Sequence, residues 1–386
     1  MRLSQRMARL GTETAFEVLV RARALEARGK HVIHLEIGEP DFDTPAHITE
    51  AAVRALKGGA THYGPAAGIP ELRAAVAEDT ARRRGVRATP EMVVITPGAK
   101  PILFFVILAL VDEGDEVLYP NPGFPIYESM IRYIGGNPVP VRLLEDKGFN
   151  LDVDQLVSRV SPKTRLVILN HPHNPTGGTI PETGLRAIAD VAAKHGVPVL
   201  SDEIYSRILY DGSHLSIASL PGMEPLAIIL DGFSKTYAMT GWRLGYGVMP
   251  APMAQVVAKL QTNATSCTAT FSQMAAVAAL KEDQSAVERM VAEFRRRRDV
   301  IVDGLRAIPG FQCARPKGAF YVFPNITRTG HSSRTLADML LDEAGVACLS
   351  GTAFGEFGEG HLRFSYANSL ENIEEALRRI KGVIAQ

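Results

Sequence analysis

Cysteine is scarce in this chain. The 386 residues hold three, Cys267, Cys313 and Cys348, too few and too scattered for a disulfide framework or a zinc knuckle. No metal site is expected, and the thiols fit a reducing compartment, so the cytoplasm is the expected location. A net charge is missing too: Lys+Arg and Asp+Glu both number 42, which leaves no overall field to draw nucleic acid or an anionic membrane. The one local excess, Arg295-Arg-Arg-Arg298, lies in a helical stretch and is expected to form a solvated face. Long apolar runs are absent. The longest, Ile102 to Val111, is too short to span a bilayer and reads as a buried helix, and the N-terminus has no apolar secretory core. Neither G-x-G-x-x-G nor G-x-x-x-x-G-K-[ST] occurs, which argues against a dinucleotide or a P-loop nucleotide.

What remains is ordinary globular material, 46% hydrophobic and 22% charged, long enough for two domains. A helix capped by a threonine is expected from Thr14 to Arg28, and ordered loops follow at Gly38 to Pro45 and Thr61 to Pro70. Strands and helices then alternate. Val93 to Thr96, Glu116 to Tyr119, Val139 to Arg142, Arg165 to Asn170, Val197 to Glu203 and Leu226 to Leu230 read as strands with helical segments between them. Such alternation predicts an α/β fold with a parallel sheet covered on both faces. From about Gln255 the pattern turns helical, and the last quarter mixes short strands with helices. Residues 47–285 are therefore expected to form a large domain, and 1–46 with 286–386 a smaller one.

Four loops fall at strand ends, where ligands bind in open α/β sheets. Gly98-Ala99-Lys100 opens a helix and offers backbone N–H groups to an anion. Asn174 lies in a His-Asn-Pro-Thr-Gly turn. Asp202, with Tyr205 three residues on, ends an apolar strand, where a buried carboxylate needs a partner. Ser234-Lys235 follows the strand Leu226 to Leu230, with Arg243 eight positions after the lysine. Each loop alone has a bland reading as a turn, a cap or a surface cation. Together they supply an amine, an anion pocket, a carboxylate and two hydrogen-bonding groups, the set that pyridoxal phosphate requires.

The chain resembles the fold-type I pyridoxal-phosphate enzymes, specifically the class I/II aminotransferases of the aspartate aminotransferase group. The matching stretches include Gly38-Glu-Pro-Asp-Phe-Asp-Thr-Pro45, Asn174-Pro-Thr-Gly177, Ser201-Asp-Glu-Ile-Tyr205, Ser234-Lys-Thr-Tyr-Ala-Met-Thr-Gly-Trp-Arg-Leu-Gly245 and Leu362-Arg-Phe-Ser-Tyr-Ala367. The resemblance implies a mostly parallel seven-stranded sheet in the large domain and a homodimer with shared active sites. Lys235 would carry the cofactor as a Schiff base and move the proton. Asp202 would pair with the pyridinium, while Asn174 and Tyr205 bind the ring oxygen. Gly98, Ala99, Ser234 and Arg243 would hold the phosphate, with Tyr63 arriving from the partner subunit. Phe124 stands where the family stacks an aromatic ring. Arg363, helped by Gly38, would clamp the substrate α-carboxylate.

The implied reaction moves an amino group from an L-amino acid to 2-oxoglutarate by ping-pong kinetics. The donor stays open between aspartate-like, aromatic and alanine-like amino acids. Lys100 either strengthens the phosphate field or, with Thr12 and Thr14, contacts a substrate's distal carboxylate. Elimination, replacement or decarboxylation on the same fold is the runner-up. A transcription regulator would need a DNA-binding domain ahead of the first helix, and a nicotinamide oxidoreductase would need the missing fingerprint.

Overall fold

Segments such as Leu166-Val-Ile-Leu169 are apolar at every position, so they can be buried only where both faces of a sheet are covered. In the computed structural model, which describes residues 1–385, they are. The chain begins with α1 (Thr14–Glu26), β1 (Ile33–His34), α2 (Ala46–Lys57) and α3 (Pro70–Arg84). It continues through β2 (Val93–Thr96), α4 (Lys100–Leu110), β3 (Glu116–Asn121), α5 (Ile126–Ile134), β4 (Asn137–Leu144) and β5 (Asn150–Leu151). Next come α6 (Val153–Arg159), β6 (Thr164–Asn170), α7 (Glu182–His195), β7 (Val199–Asp202), β8 (Ala227–Gly232) and β9 (Gly245–Val248). Helices α8 (Ala251–Thr265), α9 (Thr270–Lys281) and α10 (Ser285–Arg306) follow. The chain closes with β10 (Tyr321–Val322), α11 (Ser333–Met339), β11 (Val346–Ala347), β12 (Leu349–Ser350), β13 (Leu362–Ser365) and α12 (Leu370–Ile384).

The main sheet has the order β2-β9-β8-β7-β6-β3-β4-β5. The run from β8 to β4 is parallel, β9 is antiparallel to both its neighbours, and β5 is antiparallel on the β4 edge. Eight strands replace the expected seven because the two-residue β5 adds to that edge. Alternation does the packing: on β6, Leu166 and Ile168 join the core beneath α4, α5 and α8, while Val167 and Leu169 join the core beneath α6 and α7. A separate core gathers α10, α12 and β10 with Leu35, Tyr205 and Tyr210.

Two local expectations change. Glu13, not a threonine, occupies the N-cap of α1, and its side chain makes no capping bond there. The arginine run in α10 is not a solvated face. Consecutive helical residues turn about 100° each, so four in a row cannot all face water. Arg297 and Arg298 are buried: Arg297 pairs with Asp41 at 2.6 Å and Glu293 at 3.1 Å, and Arg298 donates to the Pro316 carbonyl at 3.2 Å. Among the described residues no helix is long and apolar enough to cross a membrane.

Candidate active site

Register brings the strand ends into line. Asn170, Asp202 and Leu230 sit side by side on β6, β7 and β8, and Thr96, Gly245 and Gly232 sit side by side on β2, β9 and β8. Because β9 runs the other way, its first residues lie at the edge where the others finish. That reversal carries Arg243 to the loops after β2 and β8. The loops enclose a cavity of about 350 Å³ to which Asp202, Ser234, Lys235, Arg243, Asn174 and Arg363 all contribute.

Lys235 donates its Nζ to the Gly38 carbonyl and stands 5.9 Å from the centre of the Phe320 ring. Burial lowers its amine to about 8, with the positive charge of Arg363 adding to the effect and Glu39 opposing it. A lysine so placed keeps a neutral, nucleophilic fraction at neutral pH.

Asp202 is buried. Its Oδ2 accepts from the Tyr127 hydroxyl at 2.6 Å and its Oδ1 from the Ile204 N–H at 3.2 Å. These bonds favour the charged form, yet burial outweighs them and raises the carboxyl to about 6. The group is short of positive charge.

Arg363, also buried, donates Nη1 to Asn174 Oδ1 at 3.1 Å and Nη2 to the Glu36 carbonyl. The guanidinium packs against the Tyr321 and Phe354 rings, whose centres are 4.5 and 4.9 Å away. Its Nε is buried with no hydrogen-bond partner among the described residues. The Tyr205 and Tyr321 hydroxyls share a 2.7 Å bond. Gly38 has to be glycine because a Cβ there would collide with the Tyr321 hydroxyl.

A cradle forms where α4 begins. Gly98, at φ +86°, presses against the Arg243 guanidinium, and a Cβ on Gly245 would strike the Ala99 backbone. Arg243 itself takes φ 55°, an uncommon value for a side-chain-bearing residue. The first N–H groups of a helix have no intrahelical partners, so with Ser234 and Arg243 beside them they present a site for an anion. Phe124 lies against Tyr127, edge to face at 5.6 Å. Lys100 starts α4 but its ammonium is engaged by Glu13, 5.4 Å above the Phe124 ring. Tyr63 stays 90% exposed and does not line this cavity.

The site also contains residues that the sequence reading missed. Tyr127 and Tyr321 carried no motif. Asn170 ends a strand exactly as far along as Asp202 does, and that placement was a readable signal: its Oδ1 accepts from the Asn174 N–H at 2.9 Å.

The model of the family described as aminotransferase class I and II matches residues 30–380. The chain belongs to that family. It is 44% identical to an aspartate aminotransferase of Pyrococcus abyssi over 361 residues, covering 92% of each chain. An aromatic-amino-acid aminotransferase of Thermococcus litoralis is 42% identical over 390 residues, covering 100% of this chain and 99% of the other. The structure of an aspartate aminotransferase from Thermus thermophilus with maleate superposes with a TM-score of 0.95 at 40% identity, covering 99% of this chain and all of that one. Class I and II aminotransferases use pyridoxal phosphate, held by a lysine as a Schiff base, and this aminotransferase is a pyridoxal-phosphate-dependent transaminase. The residues present fit that group: a carboxyl short of positive charge, a lowered lysine amine and an anion cradle of Ala99, Ser234 and Arg243 share one cavity.

Proposed function

We propose that this aminotransferase takes the amino group of an aspartate-like, aromatic or alanine-like L-amino acid and passes it to 2-oxoglutarate, donor and acceptor using the same residues in turn. One observation carries the reading: the lowered Lys235 amine, the under-paired Asp202 and the buried Arg363 guanidinium all line one cavity. Lys235 anchors the cofactor and, once its amine is free, takes and returns the proton at the substrate α-carbon. Asp202 keeps a proton on the ring nitrogen, and Tyr205 and Asn174 hold the ring oxygen. Gly98, Ala99, Ser234 and Arg243 hold the phosphate. Arg363 grips the α-carboxylate of donor and acceptor alike, its planar fork held by Asn174 and the Glu36 carbonyl. When bound, pyridoxal phosphate supplies an electron sink for the pair released at the α-carbon.

The relatives' printed names, aspartate and aromatic-amino-acid aminotransferase, support the first two of these donor classes. The proposal extends to a large unit of residues 47–285, a small unit of 1–46 with 286–386, and a cytoplasmic homodimer in which Tyr63 serves the partner's site. Supporting this, Tyr63 is exposed and does not line its own cavity, and the thiols of Cys313 and Cys348 are buried and unpaired. The test is spectroscopic. The purified protein should show a visible cofactor band that one donor class removes and 2-oxoglutarate restores. Lys235→Ala should lower turnover by more than about 10³-fold. A band that no donor changes would overturn transamination, and near-normal turnover in the variant would overturn the role of Lys235.

A further inference from the structure

Four charged side chains around the cavity have work in the reaction proposed above: Lys235, Asp202, Arg243 and Arg363. Three more line it, namely Glu13, Glu39 and Lys100. The Thr240 hydroxyl donates to Glu39. Glu13 and Lys100 hold each other in an ion pair that links the start of α1 to the start of α4.

The side chains that bond the first N–H groups of a helix from its N-cap are chiefly Ser, Thr, Asp and Asn, and a glutamate there is free to reach elsewhere. Glu13 stands at the N-cap of α1 and makes no such bond. Its carboxylate turns to Lys100 instead, and it is the more sheltered member, with 18% of its side chain exposed against 45% for the lysine. The segment ahead of it is pinned to α5: the Gly11 N–H donates to Ser129 Oγ at 2.9 Å, and that hydroxyl donates back to the Gly11 carbonyl at 3.2 Å. The acid is thus delivered to the cavity by a fastened strand of chain. Both groups lie close enough to influence the Lys235 amine, Glu13 raising its affinity for a proton and Lys100 lowering it.

We propose that the Glu13–Lys100 pair selects the donor by neutralising the one cation in the cavity left over for a second carboxylate. This rests on the transamination reading, in which Arg363 takes the first carboxylate. With the pair closed, a substrate side chain meets a neutral pair and the apolar surfaces of Phe124, Phe16 and Ala15. A monocarboxylic amino acid with an aromatic or other apolar side chain fits this wall unchanged. A dicarboxylic substrate has to draw Lys100 away from Glu13, and its own carboxylate then lies beside the displaced one, an arrangement of like charges that opposes binding. Glu13 therefore determines specificity, and a dicarboxylic acceptor binds less tightly than it would without that residue.

Two measurements on the holoenzyme test this, comparing wild type with Glu13→Gln. Calorimetric titration with succinate, a dicarboxylate that cannot react, should show a Kd lower by roughly tenfold in the variant. The ratio of kcat/KM for L-aspartate to that for L-phenylalanine should rise by about the same factor. Adding Lys100→Met to Glu13→Gln should return both quantities towards wild type. Succinate affinity and donor ratio that stay within about twofold of wild type, or succinate binding that weakens in Glu13→Gln, would overturn the proposal. Glu13→Ser repeats the comparison if the first variant folds poorly. If neither amino acid changes the cofactor band in any variant, the transamination reading has failed, while the succinate titration still decides the role of Glu13.

Discussion

Asp202 and Glu203 are neighbours at the end of β7, both acids, both buried, and they are in opposite states. Glu203 is saturated with partners. Arg84 Nε reaches it at 2.6 Å, His214 Nε2 lies 3.0 Å away, and the hydroxyls of Ser201 and Ser216 donate to it. Burial alone would raise its proton affinity, but these charges hold the carboxyl well below the ordinary range. Asp202 faces the other way and has one phenol and one backbone N–H, and burial carries it up to about 6. Successive strand residues point to opposite faces, so one peptide step separates a finished structural network from a site left incomplete. The difference supports the proposal that Asp202, and not Glu203, is the acid that receives the cofactor. A saturated carboxylate has no use for a cationic ring nitrogen, whereas one pushed up by burial gains most from its arrival.

Three perturbations break or sharpen that contrast. The largest effect should come from Arg84→Ala. It would strand Glu203 and Asp231, both of which Arg84 contacts, without their buried cation, at a cost of about 3–5 kcal/mol in denaturant unfolding. The cofactor band of the protein that remains folded should be unaltered.

Asp202→Asn should act with the opposite sign on the cofactor-free protein. Because the folded carboxyl binds its proton more tightly than the unfolded one, the wild type loses stability as pH rises from its ordinary 3.8 through about 6. The asparagine variant escapes that loss and should be more stable at pH 7 by on the order of 2–3 kcal/mol, while binding pyridoxal phosphate more weakly. Unfolding midpoints measured between pH 4 and 7 would show the two proteins diverging as pH rises. Parallel curves would mean that Asp202 is better paired than its contacts indicate. Glu203 contributes the reverse trend: its stabilisation is present above its ordinary 4.5 and disappears only in stronger acid.

The smallest effect belongs to Tyr127→Phe, which removes the one side-chain donor to Asp202. The loss is about 1 kcal/mol. It should weaken cofactor binding roughly fivefold and move the Asp202 titration further up. Unchanged cofactor affinity in a fluorescence titration would show that the phenol only fills space.

Much of the site could be read before any coordinates. Lys235, Asp202, Arg243 and Asn174 stand in local patterns whose spacing survives folding, because each lies within a few residues of a strand end. The sheet was equally legible, since apolar runs between helices admit few other arrangements. Other residues were not. Nothing near Tyr127 points to Asp202, 75 positions away, and nothing near Glu13 points to Lys100, 87 positions away. The buried half of the Arg295–Arg298 run was misjudged because composition records charge and not the direction in which a helix turns it.

The sequence by itself determined the alternating fold, the motifs that meet in one cavity and the lack of any strong net field, all properties of short stretches or of composition. Only the tertiary structure decided which of two adjacent acids is free, which residue neutralises Lys100 and which tyrosine supports Asp202. Those outcomes depend on burial and on partners distant in sequence, and the strength of a charge in a protein is set by what surrounds it.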